Sequence, residues 1–171
     1  MRHIVCSAVL ACAVVAPAAF AATGRADLTA TGEVPVQGQA QLLDTDGGLR
    51  VAVRLTQAPP GQHGFHIHEF GACGEAGKAA GPHYNPEGMP HGDLAHAGLQ
   101  GAHAGDFGNL EVGPDGTAVY ERVFPGLQLA DGEYTVAGRA LILHANQDDF
   151  SQPSGNAGGR IGCGTIIMTE H

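Results

Sequence analysis

Apolar and polar residues alternate with a period of two through several short stretches of this chain. Ala26, Leu28 and Ala30 form one series; Val51, Val53 and Leu55 form another, entered through the turn residues Asp46-Gly47-Gly48. Side chains two apart on a strand share a face, so each series predicts a half-buried strand. Gly113-Pro114-Asp115-Gly116 stands between Leu110-Glu111-Val112 and Thr117-Ala118-Val119-Tyr120, which reads as a hairpin. Asp131-Gly132 opens a strand-like run over residues 133–143, and residues 164–169 give a last strand. Helical spacing is scarce. Short strands separated by Gly/Pro turns indicate an all-β sandwich or barrel.

Two segments lack any such period: residues 71–106, rich in Gly, Ala and His, and the polar residues 146–160. Loops this long inside a compact domain usually carry function. The start of the chain also departs from the pattern. Arg2 and His3 precede an apolar run over residues 4–15 broken by Ser7, and Ala19-Phe20-Ala21 follows Pro17. That is the layout of a secretory signal with a small-x-small cleavage site. The run is shorter than the roughly 20 residues a bilayer span requires. Residues 1–21 are expected to be a cleaved signal and residues 22–171 a single exported domain, with the periplasm as its compartment. Lipid attachment at Cys12 is the competing reading, against which Leu10 stands where a small residue is usual.

Export changes the charge and the cysteine count. Beyond residue 21 the chain keeps seven Lys+Arg against 17 Asp+Glu, a net charge of −10, which argues against nucleic acid or an anionic membrane as partner. Of the four cysteines only Cys73 and Cys163 remain. In an oxidising compartment these predict a disulfide, with two separate buried thiols as the alternative.

Nine of the 10 histidines lie beyond the leader. His66 and His68, in Gly64-Phe65-His66-Ile67-His68, fall on one face of a predicted strand while Phe65 and Ile67 take the other. His144 follows Leu141-Ile142-Leu143 at the end of another strand. The long loop holds His83, His91, His96 and His103, and His103 is followed at the third position by Asp106. Three histidines with one aspartate make a tetrahedral zinc set, whereas an all-imidazole set suits copper.

Four segments in order resemble the copper/zinc superoxide dismutase family. They are Gly64-Phe65-His66-Ile67-His68-Glu69-Phe70-Gly71, Gly81-Pro82-His83-Tyr84-Asn85-Pro86, His103-Ala104-Gly105-Asp106-Phe107-Gly108-Asn109 and Gly155-Asn156-Ala157-Gly158-Gly159-Arg160-Ile161-Gly162-Cys163-Gly164. The resemblance implies a Greek-key, immunoglobulin-like β-sandwich or flattened barrel with two long functional loops. It implies copper on His66, His68, His83 and His144, and zinc on His83, His91, His103 and Asp106, with His83 bridging the two ions. Asp148 would link a copper histidine to a zinc histidine, Cys73 and Cys163 would form the disulfide, and Arg160 would meet the substrate. The implied activity converts two superoxide anions to O2 and H2O2 by alternate reduction and oxidation of the copper, with His83 taking part in proton transfer. A homodimer is compatible with the family. The competing class is a non-catalytic copper/zinc-binding protein, which would be expected to lack a copper histidine or the arginine; neither is missing here.

Three places depart from the family pattern. The interval from His91 to His103 is longer than in many relatives, so His96 competes with His103 as ligand. His103 is preferred, because Ala97-Gly98-Leu99 puts leucine where Ala104-Gly105-Asp106 puts the carboxylate. Residues 146–159 contain no Lys or Arg, and Ser154 takes the family's threonine position, so steering by loop lysines is not expected. His63 is expected to tie loops together and His171 to be a solvated terminus.

Overall fold

The alternating series become strands whose apolar face closes a single core. The computed structural model describes residues 21–170, so the expected leader (Ala21 apart) and His171 lie outside the described residues. Eleven strands follow in order: β1 (Thr23–Ala30), β2 (Gln37–Thr45), β3 (Gly48–Gln57), β4 (Gly61–His68), β5 (Asp106–Val112), β6 (Ala118–Phe124), β7 (Leu127–Gln128), β8 (Tyr134–Thr135), β9 (Ala140–His144), β10 (Arg160–Thr165) and β11 (Ile167–Glu170). Leu49, Val51, Val53 and Leu55 of β3 are all buried, as are Ala26 and Leu28 of β1. Ala30 is exposed instead, at the end of β1 where the chain leaves the barrel.

Nine strands form one sheet in the order β5-β4-β9-β10-β1-β2-β3-β6, with β11 pairing β1 as well; β7 and β8 make a small parallel pair. The outermost strands β5 and β6 approach each other, so the sheet curls into an almost closed, flattened barrel. Chain-consecutive strands β3 and β4 are not neighbours, nor are β6 and β9, which follow one another within this sheet, and these crossings give the Greek-key connectivity. Inside, the Phe107 and Phe124 rings stack at 4.0 Å and Phe65 meets Tyr120 edge-on at 5.6 Å. The Tyr120 hydroxyl donates to the Phe107 carbonyl at 2.9 Å, so the one polar group of this cluster is satisfied. Full burial of each such side chain contributes roughly 1.5–3 kcal/mol before entropy is counted.

Local chemistry explains both the agreements and the departures. Asp46-Gly47 closes a two-residue hairpin between β2 and β3. Gly48 sits at φ 115°, where a Cβ would also strike the Phe124 carbonyl, so only glycine fits. Gly113–Gly116 is a turn, with Gly116 N–H donating to Gly113 C=O, but the strands it joins are not a hairpin pair. β5 hydrogen-bonds to β4 and β6 to β3, because each finds a longer ladder at its own edge of the barrel. The run expected over residues 133–143 is broken as well. Gly138, at φ 79°, turns the chain from the short β8 into β9. The last strand is two: buried Ile166 separates β10, which pairs with β9, from β11, which pairs with β1.

β4 and β9 prepare the site. Phe65 and Ile67, with Leu141 and Leu143, face the main core. The alternate residues Ala140 and Ile142 point outward and pack with Ala80 and Cys163 in a second, smaller cluster. His66 and His68 lie opposite Ile142 and Ala140 in the β4–β9 register, so they share this outer face. Residues 69–105 and 145–159 cover it; the first carries only a 3-10 turn, Lys78–Ala80, and the single-turn helix α1, Leu94–Ala97. A disulfide between Cys73 and Cys163 fastens the first loop to β10 across 90 residues of sequence.

Candidate metal centre

Register brings most of the chemistry-bearing side chains together. His66 stands opposite Asp106 on β5, and His144 opposite Arg160 on β10. His83, His91 and His103 descend from the long loop, and Asp148 from the second one. None of the seven ligand-type residues is more than 8% exposed, and Asp148 is fully buried. One nitrogen from each of His66, His68, His83 and His144 lies within 4.8 Å of the others. A nitrogen from each of His83, His91 and His103 converges in the same way with an Asp106 oxygen. His83 belongs to both groups.

The hydrogen bonds show which nitrogen of each ring is free. His68 Nδ1 faces the Gly81 carbonyl at 2.8 Å, leaving Nε2, which lies 3.3 Å from His144 Nε2. His66 Nε2 is 2.8 Å from Asp148 Oδ2, and His91 Nε2 is 3.0 Å from both Asp148 oxygens. Both nitrogens left over, His66 Nδ1 and His91 Nδ1, are buried without a hydrogen-bond partner. His91 Nδ1 lies only 2.9 Å from Asp106 Oδ2, yet the two are not aligned to share a proton. Each is left to its own group, His66 to the all-nitrogen one and His91 to the mixed one. An unpaired buried polar atom costs roughly 1–3 kcal/mol, and a cation at each focus removes that cost. The donor sets therefore fit metal ions: four nitrogens on one side, three nitrogens and a carboxylate on the other. His66, His91 and Asp148 also cluster, but here the ring nitrogens are already spent on the carboxylate. Asp148 is a bridge between the two groups and not a third metal site.

Protonation follows the same geometry. Burial, reinforced by the charge of His83, pushes His68 down to about 2; burial likewise pushes His144 to about 3 and, against the pull of Asp106, His83 to about 4. At His91 burial is outweighed by the adjacent carboxylates of Asp106 and Asp148, and the ring rises to about 9. Burial alone would raise Asp106 and Asp148, but their histidine partners hold both well below the usual carboxylate range.

An open cleft of about 700 Å³ leads from solvent to His68, His83 and His144, and Arg160 lines it. The Arg160 guanidinium donates to the carbonyls of Gly77 and Gly81, both at 2.6 Å. His96 is outside both groups: its side chain is 79% exposed and pairs with Asp93 at 2.8 Å. His63 places its two nitrogens 2.8 Å from the carbonyls of His144 and Pro59.

Two contributors escaped the sequence reading. Asn109 clamps the backbone of Asp148, accepting from its N–H at 2.8 Å and donating to its carbonyl at 2.9 Å. Arg139 donates to the Glu69 carbonyl at 2.8 Å and lies 3.5 Å from the centre of the Tyr84 ring, fastening neighbours of His68 and His83 to each other. Asn109 ends one of the four motifs, which was the available signal. Arg139 stands in no motif and no periodic face.

The family model described as copper/zinc superoxide dismutase (SODC) matches residues 36–166, a span that includes every side chain of the two groups. The chain belongs to the copper/zinc superoxide dismutase family. Among solved structures it is similar to the crystal structure of the clock protein EA4, with a TM-score of 0.76 and 30% identity over 91% of this chain and 100% of that one. The barrel, the two covering loops and the disulfide are thus those of a copper/zinc superoxide dismutase relative. Among the described residues no helix is long and apolar enough to cross a membrane.

Proposed function

We propose that this protein is an exported superoxide dismutase, with copper held by His66, His68, His83 and His144 and zinc by His83, His91, His103 and Asp106. The observation that carries this reading is the sharing of His83 between an all-nitrogen group and a mixed nitrogen–carboxylate group. Copper, when bound, supplies the one-electron chemistry that superoxide disproportionation requires, and zinc supplies charge without redox chemistry.

The chain's own residues do the rest. His83 Nδ1 is engaged by Asp106 at 2.8 Å, so its membership of the all-nitrogen group falls to Nε2 on the far side of the ring. His83 lines the cleft, and when Nε2 is not bound to copper it can hold a proton that an outgoing peroxide would take up. Asp148 fixes the orientation of both His66 and His91 through their Nε2 atoms. Arg160 is held by the loop carbonyls through two of its N–H groups and offers the remainder to an anion in the cleft. Residues 1–21 suit delivery to the periplasm, with Ala22 as the first residue of the processed chain.

The test is the rate of superoxide dismutation by purified, processed protein, with copper and zinc counted per chain in the same sample. Fast turnover with one of each metal is expected. Full loading of both metals without turnover would instead favour a non-catalytic metal-binding protein, a reading supported by the likeness to a protein named for timekeeping.

A further inference from the structure

The loop over residues 145–159 carries a polar side chain that none of the site chemistry above uses. Gln152 accepts from the His91 N–H at 2.9 Å and donates to the His91 carbonyl at 2.8 Å. One primary amide thus satisfies both backbone groups of a single residue, as a neighbouring strand would. His91 needs such a partner. It lies in a stretch without regular structure, is 4% exposed, and has no ladder on either side. Its ring is held from other directions by Asp148 and Asp106.

We propose that Gln152 is a positioning residue for the zinc-side ligand His91. It fixes the backbone from which the imidazole projects and ties that ligand to the wall of the cleft through the adjoining Pro153 and Ser154. Gln152 itself touches neither focus and is exposed, so its replacement opens no cavity in the core. Its effect falls on one metal group. Of the two groups His91 belongs to the mixed one only, and among the described residues the all-nitrogen group of His66, His68, His83 and His144 receives no hydrogen bond from Gln152. Outer partners of metal ligands typically change metal affinity 10–100-fold when removed.

This inference rests on the two-metal reading, and the test separates the two. Cobalt(II) titrated into metal-free full-length wild type reports the mixed site by its tetrahedral visible bands; copper(II) titrated separately reports the all-nitrogen site. Absence of tetrahedral bands in wild type would sink the two-metal reading itself. With the bands present, Gln152→Met, which keeps the chain length and deletes both hydrogen bonds, is expected to weaken cobalt binding about 10–100-fold and to shift the bands. Copper affinity should stay within about threefold, since only one ligand shell loses a partner. Unchanged cobalt affinity and bands, or equal losses at both sites, would overturn the proposal. Should Gln152→Met fail to accumulate as folded protein, Gln152→Asn, too short for either contact, is read by the same two titrations.

Discussion

At His68, His83 and His144 burial favours the neutral ring, whereas at His91 two carboxylates favour the charged one. The two cases pull stability in opposite directions as pH changes. For the first three, the folded value lies below the ordinary 6.5, so the unfolded chain binds more protons as pH falls from about 6.5 toward 4. Stability of the metal-free protein is therefore lost on the acid side. For His91 the folded value is raised to about 9; its contribution is complete below 6.5 and is lost as pH rises through 9. Denaturant midpoints of the metal-free chain at pH 4.5, 6.5 and 9 should thus peak near 6.5. A midpoint that rises steadily from 6.5 to 9 would show that His91 is not held charged by Asp106 and Asp148.

At the scale of elements, the first loop is secured mainly by covalent and polar ties. The Cys73–Cys163 disulfide closes 90 residues, worth about 4–5 kcal/mol in the chain-entropy model. The carbonyls that hold Arg160, those of Gly77 and Gly81, belong to the loop this bond anchors. A Cys73→Ser/Cys163→Ser chain should lose about 4 kcal/mol of stability. Its turnover per bound copper should fall as well, because the loop no longer fixes the guanidinium. Metal-normalised turnover equal to wild type would show that the loop holds its place without the disulfide.

The same scale shows what could be read in advance. Strand β3 was legible because one face is buried and the other wet, so burial writes a period of two into the sequence. The H-x-H of β4 was legible from the same two-residue period, although both of its faces are buried, and His83 and His103 through the motifs that contain them; His91 stands in none of the four. Residues 133–143 misled, because apolar alternation cannot reveal that a left-handed Gly138 breaks the run. The Gly113–Gly116 turn was recognisable but the partners of its strands were not, since pairing depends on residues far away in sequence. Gln152, Asn109 and Arg139 act by satisfying backbone groups or stacking across loops, and contacts of that kind leave no periodic trace.

For the whole molecule, charge and site pull against each other. Beyond residue 21 the net charge is −10, yet the proposed substrate is an anion. The attraction must then be local. Arg160 is the one Lys or Arg lining the cleft among the described residues, and Glu69 at its rim is paired with Arg139 at 3.1 Å. A domain of this size has a radius of gyration of about 15 Å. The screening length is about 30 Å at 0.01 M salt and about 8 Å at 0.15 M. At low salt an approaching anion feels the negative molecule as a whole; at higher salt it feels chiefly the cleft. Raising salt from about 0.01 to about 0.15 M should therefore increase kcat/KM by about twofold, the repulsion being screened first. Arg160→Ala should keep both metals, lower kcat/KM about tenfold or more, and steepen that rise, because the bound ions are then the only attracting charges in the cleft against an unchanged global repulsion. A wild-type rate that falls several-fold over the same salt range would place the attracting charges outside the cleft and remove Arg160 from this role.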